Sequence, residues 1–208
     1  GENAISYSWT FVSGIPGTSN LANPGPIQFV GSTTHTIGLT VVNECGSANA
    51  NTAFVMYPPV QVNAGRDTAI CQNQPLNLNA QIITGTSPYS VSWTPTAGVT
   101  SPNALTTPVS TAVGNTYTVS VIDAHACQGN DQVVVSIKPL PIINCAPATI
   151  CKGSNATLVA SGATTYSWTP STGLSATTGA SVIASPTTTT TYTVTGTSAS
   201  GCVTTDQV

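Results

Sequence analysis

The stretch Tyr166-Ser167-Trp168-Thr169-Pro170 recurs along this chain and decides its fold. It returns as Val91-Ser92-Trp93-Thr94-Pro95, and in a shorter form as Tyr7-Ser8-Trp9-Thr10. A glycine follows each tryptophan by five residues, at Gly14, Gly98 and Gly173. Self-similarity at a regular spacing is typical of proteins built from a string of similar units. The chain is therefore predicted to contain three copies of one small unit.

Each tryptophan is followed, further along, by a run of alternating apolar and hydroxyl-bearing residues that leads to a cysteine. In the second and third copies a tyrosine, Tyr117 or Tyr192, precedes that cysteine by ten residues. In the first copy His35 takes the place of the tyrosine, and we expect it to be a packing residue. Apolar side chains at every second position predict a strand with one face buried and the other in water.

The copies define three predicted domains. The first covers residues 1–59 and is N-terminally incomplete, the second covers 60–140 and is complete, and the third covers 141–208 and lacks part of its last strand. Proline pairs at Pro58-Pro59 and around Leu140 predict short, extended linkers between them. The first residues have no basic region followed by an apolar core, so we expect a window of a longer protein rather than a signal peptide.

Short strand signals separated by Gly, Pro, Asn and Ser dominate the sequence, and no window predicts a helix of useful length. In the second copy the predicted strands are 68–70, 76–83, 89–94, 107–110, 116–122 and 132–137. This pattern predicts an all-β fold of tandem immunoglobulin-like β-sandwich domains. Trp93 and Trp168 fit the buried tryptophan of such a sandwich, and Tyr117 and Tyr192 fit the start of its penultimate strand. Together with Trp9 they are the predicted core markers.

Six cysteines in so polar a chain predict disulfides formed outside the cytoplasm. The alignment of the copies gives two recurring pairs, Cys71–Cys127 and Cys151–Cys202. By the same alignment the partner of Cys45 would lie before residue 1. Cys145 has no counterpart, and it could pair with Cys151 or with another chain. Spacing alone does not fix connectivity, so these alternatives stay open.

The composition excludes several classes of protein. Lys and Arg together number 3, Asp and Glu 6, and Ser and Thr make up more than a quarter of the 208 residues. So few cations cannot form the basic face that a nucleic-acid partner needs. No apolar run reaches the roughly 18 residues of a transmembrane segment. Hydrophobic residues at 40% with a net charge of −3 indicate a folded chain with a hydroxyl-rich surface.

No catalytic, cofactor or metal site is predicted, and the chain is not expected to be an enzyme. His125 stands between Asp123 and Cys127, an arrangement that could suggest a cysteine nucleophile or a metal clip. The matching stretch of the third copy has neither histidine nor acid, which favours a structural hairpin. Two histidines cannot supply a zinc site in each repeat, and so few acids offer no calcium cage.

The strings at residues 166–175, 184–194 and 201–202 resemble the PKD-like and Ig-like repeats of very large Bacteroidota surface proteins. Residues 62–71 are similar to the opening of such a repeat, and the first copy matches only loosely. The resemblance implies export by the type IX secretion system and a place at the cell surface, attached to the outer membrane or secreted. It also makes Thr68, in Asp67-Thr68-Ala69, a candidate O-glycosylation site. No catalytic residues carry over.

The residues themselves predict an array of small sandwiches, and the resemblance implies that it is a non-catalytic repeat region of a secreted bacterial cell-surface protein, acting as an adhesin stalk or array in adhesion or gliding motility. The expected partners are an extracellular surface or glycan ligand and the secretion or motility machinery of the outer membrane. The alternative is a carbohydrate-binding or spacer module of a secreted polysaccharide-degrading enzyme. In that case Tyr57 and Tyr89, which do not recur, are the candidate exposed aromatic residues.

Overall fold

In the part of the chain that the structure describes, the regular elements are all β-strands. A computed structural model describes residues 4–208, and in that range the chain forms 20 strands and no helix. The first three residues of the first predicted repeat lie outside the described residues. The all-β class predicted from the sequence is therefore correct.

The strands follow the predicted repeats along the chain. Those of the first are β1 (Ser6–Phe11), β2 (Gly14–Ile15), β3 (Thr18–Ser19), β4 (Gln28–Phe29), β5 (Thr34–Asn43) and β6 (Gly46–Val55). Those of the second are β7 (Gln61–Asn63), β8 (Thr68–Cys71), β9 (Leu76–Asn79), β10 (Gln81–Thr84), β11 (Ser90–Thr94), β12 (Thr106–Val109), β13 (Asn115–Ile122) and β14 (Gln128–Lys138). Those of the third are β15 (Asn144–Cys145), β16 (Ala156–Ser161), β17 (Thr165–Thr169), β18 (Ser181–Ala184), β19 (Thr193–Thr197) and β20 (Val203–Gln207).

The structure divides into two units whose residues interleave along the chain. The first unit comprises Gly1–Asn63, Ile82–Val91 and Ser120–Asn130. The second comprises Ala64–Gln81, Ser92–Val119 and Asp131–Val208. The second unit thus holds the tryptophans of both the second and the third predicted repeats. The division into three domains at residues 59 and 140 stays a prediction.

In the first unit an antiparallel sheet has the strand order β3-β1-β5-β6. β5 and β6 form a regular hairpin, and β6 is the outer strand of the sheet, with all 10 of its residues exposed. His35 on β5 is fully buried between the rings of Phe29 and Phe54, with centroids 5.1 and 5.3 Å away. His35 is therefore a packing residue of this unit.

The third predicted repeat, within the second unit, is a sandwich of two sheets with the orders β15-β16-β18 and β17-β19-β20. Burial alternates along β16 and β18, so Leu158 and Val182 point inward while their neighbours are exposed. Trp168 and Val194 from the other sheet complete the same core. Because successive side chains of a strand point to opposite faces, the apolar half of each strand fills the space between the sheets.

The second predicted repeat has the same arrangement. One sheet has the order β11-β13-β14-β8, and the other pairs β12 with β9. Trp93, Tyr117 and Val119 are completely buried on the first sheet, and Leu78 and Val109 are buried on the second. Two sheets closing over a central tryptophan define an immunoglobulin-like β-sandwich, which is the fold class that the strand pattern predicts.

In these two repeats the backbone conformation explains why a glycine recurs five residues after the tryptophan. The φ angle is +77° at Gly98 and +76° at Gly173. Residues with a Cβ rarely adopt this left-handed conformation, whereas glycine does so without a steric penalty. A Cβ on Gly98 would also collide with the carbonyl oxygen of Ser110. In the first repeat Gly14 is needed for space instead, because a Cβ there would lie 2.6 Å from the Cβ of Phe11.

Candidate functional site

The three tryptophans make the same hydrogen bond. Each indole N–H donates to a backbone carbonyl 11 or 12 residues further on; the acceptors are Ala104 for Trp93, Gly179 for Trp168 and Leu21 for Trp9, at 2.9–3.0 Å. Trp93 and Trp168 are 0% and 1% exposed. Neither ring can therefore offer a face to a ligand.

Trp9 is only half-buried, although it lies on the equivalent strand. Its ring stacks on that of Phe11, with centroids 6.0 Å apart. In the second and third repeats a second sheet covers the tryptophan. Besides the sheet that carries Trp9, the described part of the first repeat forms only the two-residue strands β2 and β4. Because so little strand is available to cover it, the ring of Trp9 stays partly exposed to solvent.

The two core tyrosines also share one contact. The hydroxyl of Tyr117 donates to the carbonyl oxygen of Ala97 at 3.2 Å, and that of Tyr192 donates to Thr172 at 2.8 Å. In both cases the acceptor lies 20 residues upstream. A buried phenol needs a partner for its hydroxyl, and this bond supplies it in both repeats. Both tyrosines thus fasten the loop that follows the tryptophan.

The disulfide of the structure joins Cys71 to Cys202, with their Cα atoms 5.5 Å apart. The pairs expected from the repeat alignment, Cys71–Cys127 and Cys151–Cys202, are therefore wrong. Cys127 and Cys151 carry free thiols. Both partners of the actual cystine lie in the second unit, and they connect the second predicted repeat to the third.

The length of β14 explains this correction. Cys71 ends β8, which pairs in parallel with the end of β14, so that Cys71 lies opposite Lys138. Cys127 directly precedes β14, which is 11 residues long. At a rise of about 3.3 Å per residue the strand separates the two cysteines by roughly 35 Å. A disulfide tolerates a Cα separation of at most about 7 Å, so this pair cannot form.

The turn between β19 and β20 contacts the end of β14 at the cystine. The carbonyl oxygen of Lys138 lies 3.8 Å from Sγ of Cys202, and the Lys138 ammonium donates to the carbonyl of Ser200 at 3.5 Å. Cys202 itself is 1% exposed. The turn is closed by a hydrogen bond of 2.8 Å from the N–H of Ser198 to the carbonyl of Cys202. The cystine is thus seated in a defined contact rather than between two loose loops.

The remaining cysteines include one with a perturbed acidity. The N–H of Cys145 donates to a carboxylate oxygen of Asp206 at 3.2 Å. Burial raises the pKa of the Cys145 thiol, and the negative charge of Asp206 raises it further. A thiol with a raised pKa holds its proton and is a poor nucleophile. The sequence offered no signal for this, because the two residues are 61 positions apart.

Asp123 organises the turn before β14 in the first unit. One carboxylate oxygen accepts from the N–H groups of His125 at 2.8 Å and Cys127 at 3.0 Å, and the other accepts from Thr86 at 3.1 Å. Burial raises the pKa of Asp123, but these three donors and the nearby His125 lower it more. The pKa therefore lies below its ordinary value.

The same turn decides what His125 can do. Its Nδ1 lies 4.0 Å from a carboxylate oxygen of Asp123, and its ring stacks on Tyr57 with centroids 3.5 Å apart. The carboxylate binds the backbone N–H of Cys127. These contacts favour the structural hairpin over a nucleophile or metal clip. Among residues 4–208 no group of three or more His, Cys, Asp or Glu side chains is placed to hold a metal ion.

The remaining residues singled out from the sequence are two tyrosines and a threonine. Tyr57 is 45% and Tyr89 36% exposed, and the hydroxyl of Tyr89 donates to the carbonyl of Gly85 at 3.0 Å. Thr68 is half-buried at the start of β8, opposite Val135. Its modification with a glycan stays a prediction.

No family model and no curated protein matches this chain. Among solved structures it is similar to an I-band fragment of titin, with 10% identity and a TM-score of 0.40, over 97% of this chain and 85% of that one. It is also similar to a C-terminal fragment of intimin in complex with the intimin-binding domain of its translocated receptor, with 13% identity and a TM-score of 0.42, over 69% and 54%. The insect immune protein hemolin matches with 12% identity and a TM-score of 0.37, over 97% and 66%. These likenesses concern the fold alone.

The structure also bears on membrane insertion. Within the part of the chain that it describes, no helix has the length and apolar character needed to cross a membrane.

Proposed function

We propose that this chain is a non-catalytic repeat region of a secreted bacterial cell-surface protein, where it acts as a stalk or array in adhesion or gliding motility. The Cys71–Cys202 cystine carries the proposal. Disulfides persist in oxidising compartments, so a cystine between consecutive repeats suits a chain that works outside the cytoplasm. The buried positions of Trp93 and Trp168 suit repeats whose tryptophans hold the fold together rather than bind substrate.

The surface chemistry supports the same role. The chain has few charged residues and is rich in Ser and Thr, which suits a hydroxyl-rich surface in contact with water. The resemblance to Bacteroidota repeats adds type IX export and the secretion or motility machinery of the outer membrane as partners. The ligand is then an extracellular surface or a glycan.

An experiment in the source bacterium tests this role. Intact cells are treated with a membrane-impermeant biotin reagent, and an in-frame deletion of the codons for residues 60–208 is compared with the parent strain. We expect the protein to be labelled on intact cells, and the deletion to reduce attachment or gliding while the shortened protein is still exported. Labelling only after lysis, or unchanged attachment and gliding, would contradict the proposal.

A carbohydrate-binding module is the second candidate, and two observations favour it. Tyr57 and Tyr89 are the exposed aromatic residues identified from the sequence. In the third repeat a groove of about 490 Å³ is lined by the threonines at residues 187–191 and by Lys152. Glycan-array binding that is lost in Tyr57→Ala or Tyr89→Ala, and kept in Tyr89→Phe, would support the aromatic platform. An array without binding by the unaltered chain would eliminate it.

A further inference from the structure

A polypeptide pulled at its two ends carries tension along the covalent path between them. In this chain that path leaves the backbone, because Cys71 and Cys202 are bonded to each other across 131 residues of sequence. We infer that the cystine is a tension shunt: the covalent path of the load passes from Cys71 directly to Cys202, and the backbone between them cannot be extended by the pull. This goes beyond the proposed surface role, because it requires no ligand.

The shunted segment contains most of both sandwich cores, whereas β7, β8 and β20 lie outside the closed loop. Strands β9 to β19 lie inside the closed loop, together with Trp93, Trp168 and the proline-rich linker around Leu140. The linker would otherwise be the place where a pull separates the second repeat from the third. The part of the chain before Cys71, which includes β1 to β6, stays in the path of the load.

Each end of the shunt is fixed to hydrogen-bonded strand. Cys71 is the last residue of β8, whose four residues pair with the end of β14. Cys202 directly precedes β20, which pairs with β19 from Thr193↔Gln207 to Thr197↔Val203. A pull at Cys71 or Cys202 is therefore resisted by paired strands rather than by a mobile loop.

The shunt has a calculable signature. An extended chain spans at most about 3.3–3.6 Å per residue. The loop closed by the cystine covers 131 residues of sequence, so it shortens the fully stretched chain by about 450 Å. A dithiol reductant reverses this: it converts the cystine to two thiols and is itself oxidised to a disulfide. The whole chain is then free to extend.

Optical-tweezers stretching of the 208-residue chain tests the inference, with handles attached to peptide tags at both ends so that no cysteine is used. We expect the maximum extension of the oxidised chain to be about 450 Å shorter than that of the same chain after dithiol treatment. Cys71→Ser combined with Cys202→Ser should give the full extension with or without dithiol. Cys151→Ser is the matched control, and it should remain as short as the unaltered oxidised chain because Cys151 is unpaired.

Full extension of the unaltered oxidised chain would overturn the shunt. So would a deficit of only about 180 Å that disappears in Cys151→Ser, since this is the length that a Cys151–Cys202 bond would withhold. The maximum extension depends on covalent connectivity and not on folding, so the double variant is informative even if it does not fold. Loss of the shunt would leave the cell-labelling and deletion results unaffected, which separates this inference from the proposed function.

Discussion

The ring of Tyr57 stacks on the ring of His125, with the planes inclined by 17°. Tyr57 follows β6, and His125 belongs to the turn that Asp123 organises before β14. Close by in the sequence, a Cβ on Gly129 would collide with the carbonyl oxygen of Val60. The first unit therefore brings the chain after β6 directly against the start of β14, through a ring stack and a backbone approach that only glycine permits.

Replacing Tyr57 with alanine should lower the free energy of unfolding of the first unit by about 1 kcal/mol, because the aromatic pair is lost. Tyr57→Phe keeps the ring and should cost much less. Hydrogen exchange at the amides of residues 123–127, combined with urea unfolding, measures the effect. Equal losses in the two variants would mean that the stack contributes nothing.

Removing the indole of Trp168 should be far more costly. Trp168→Ala empties a buried core site and is expected to reduce stability by about 3–5 kcal/mol. Trp9→Ala, at a half-buried ring, should cost clearly less. Urea unfolding followed by far-ultraviolet circular dichroism compares the two variants, and an equal effect at both positions would contradict the difference in burial.

The lowered pKa of Asp123 predicts a pH dependence whose sign follows from linkage. A carboxyl group that is more acidic in the folded state stabilises it above the unfolded pKa of about 3.9, and this stabilisation is lost as pH falls through the folded-state value. Asp123→Asn does not titrate. The difference in unfolding midpoint between the two proteins should be constant at neutral pH and shrink below about pH 4. A difference that stays constant down to about pH 2 would exclude this carboxylate as the cause.

Gly98→Ala should destabilise the second repeat by at least 1–2 kcal/mol, roughly the cost of a left-handed conformation for a residue with a Cβ. The collision with Ser110 adds to this. Gly25→Ala is the control, because a Cβ there meets no atom within 4 Å. Thermal unfolding should separate the two variants, and similar melting temperatures would contradict the backbone argument.

Peptide mapping under non-reducing conditions should find Cys71 linked to Cys202. A thiol-alkylating reagent added before reduction should label Cys45, Cys127, Cys145 and Cys151. Peptides that join Cys71 to Cys127 would restore the pairing suggested by the alignment and would be incompatible with the long strand β14.

The alternation around Tyr117 and Tyr192 was sufficient to predict the sandwich, because burying every second residue is a local property of a strand. The cystine could not be predicted in this way. The prediction that β14 starts near residue 132 treated Gly129 and Asn130 as turn residues, whereas the strand begins at Gln128. Gly129 belongs to the strand because the carbonyl of Val60 approaches it closely. The alternation of apolar and polar residues carries no sign of this contact with Val60. Because β14 begins at Gln128, Cys127 lies at the opposite end of the strand from Cys71.

The contacts of Asp123 and of Cys145 show the same limit for electrostatic interactions. Asp123 binds the amides of His125 and Cys127, two and four residues away, and such a turn can be recognised in a sequence. Asp206 reaches Cys145 only through the assembled third repeat. Short-range contacts can therefore be predicted from spacing, and contacts between distant strands depend on the register of the sheets.

The outer strand β6 has a consequence for handling the protein. Gly46–Val55 contains neither a charged residue nor a proline, and in residues 4–208 β5 is the strand that pairs with it. An uncharged, regular edge of this kind offers its free backbone groups as a template for further strands. We therefore expect concentrated solutions of the isolated chain to associate edge to edge, and Asn49→Lys to reduce this association because a charge would be placed on the outer strand.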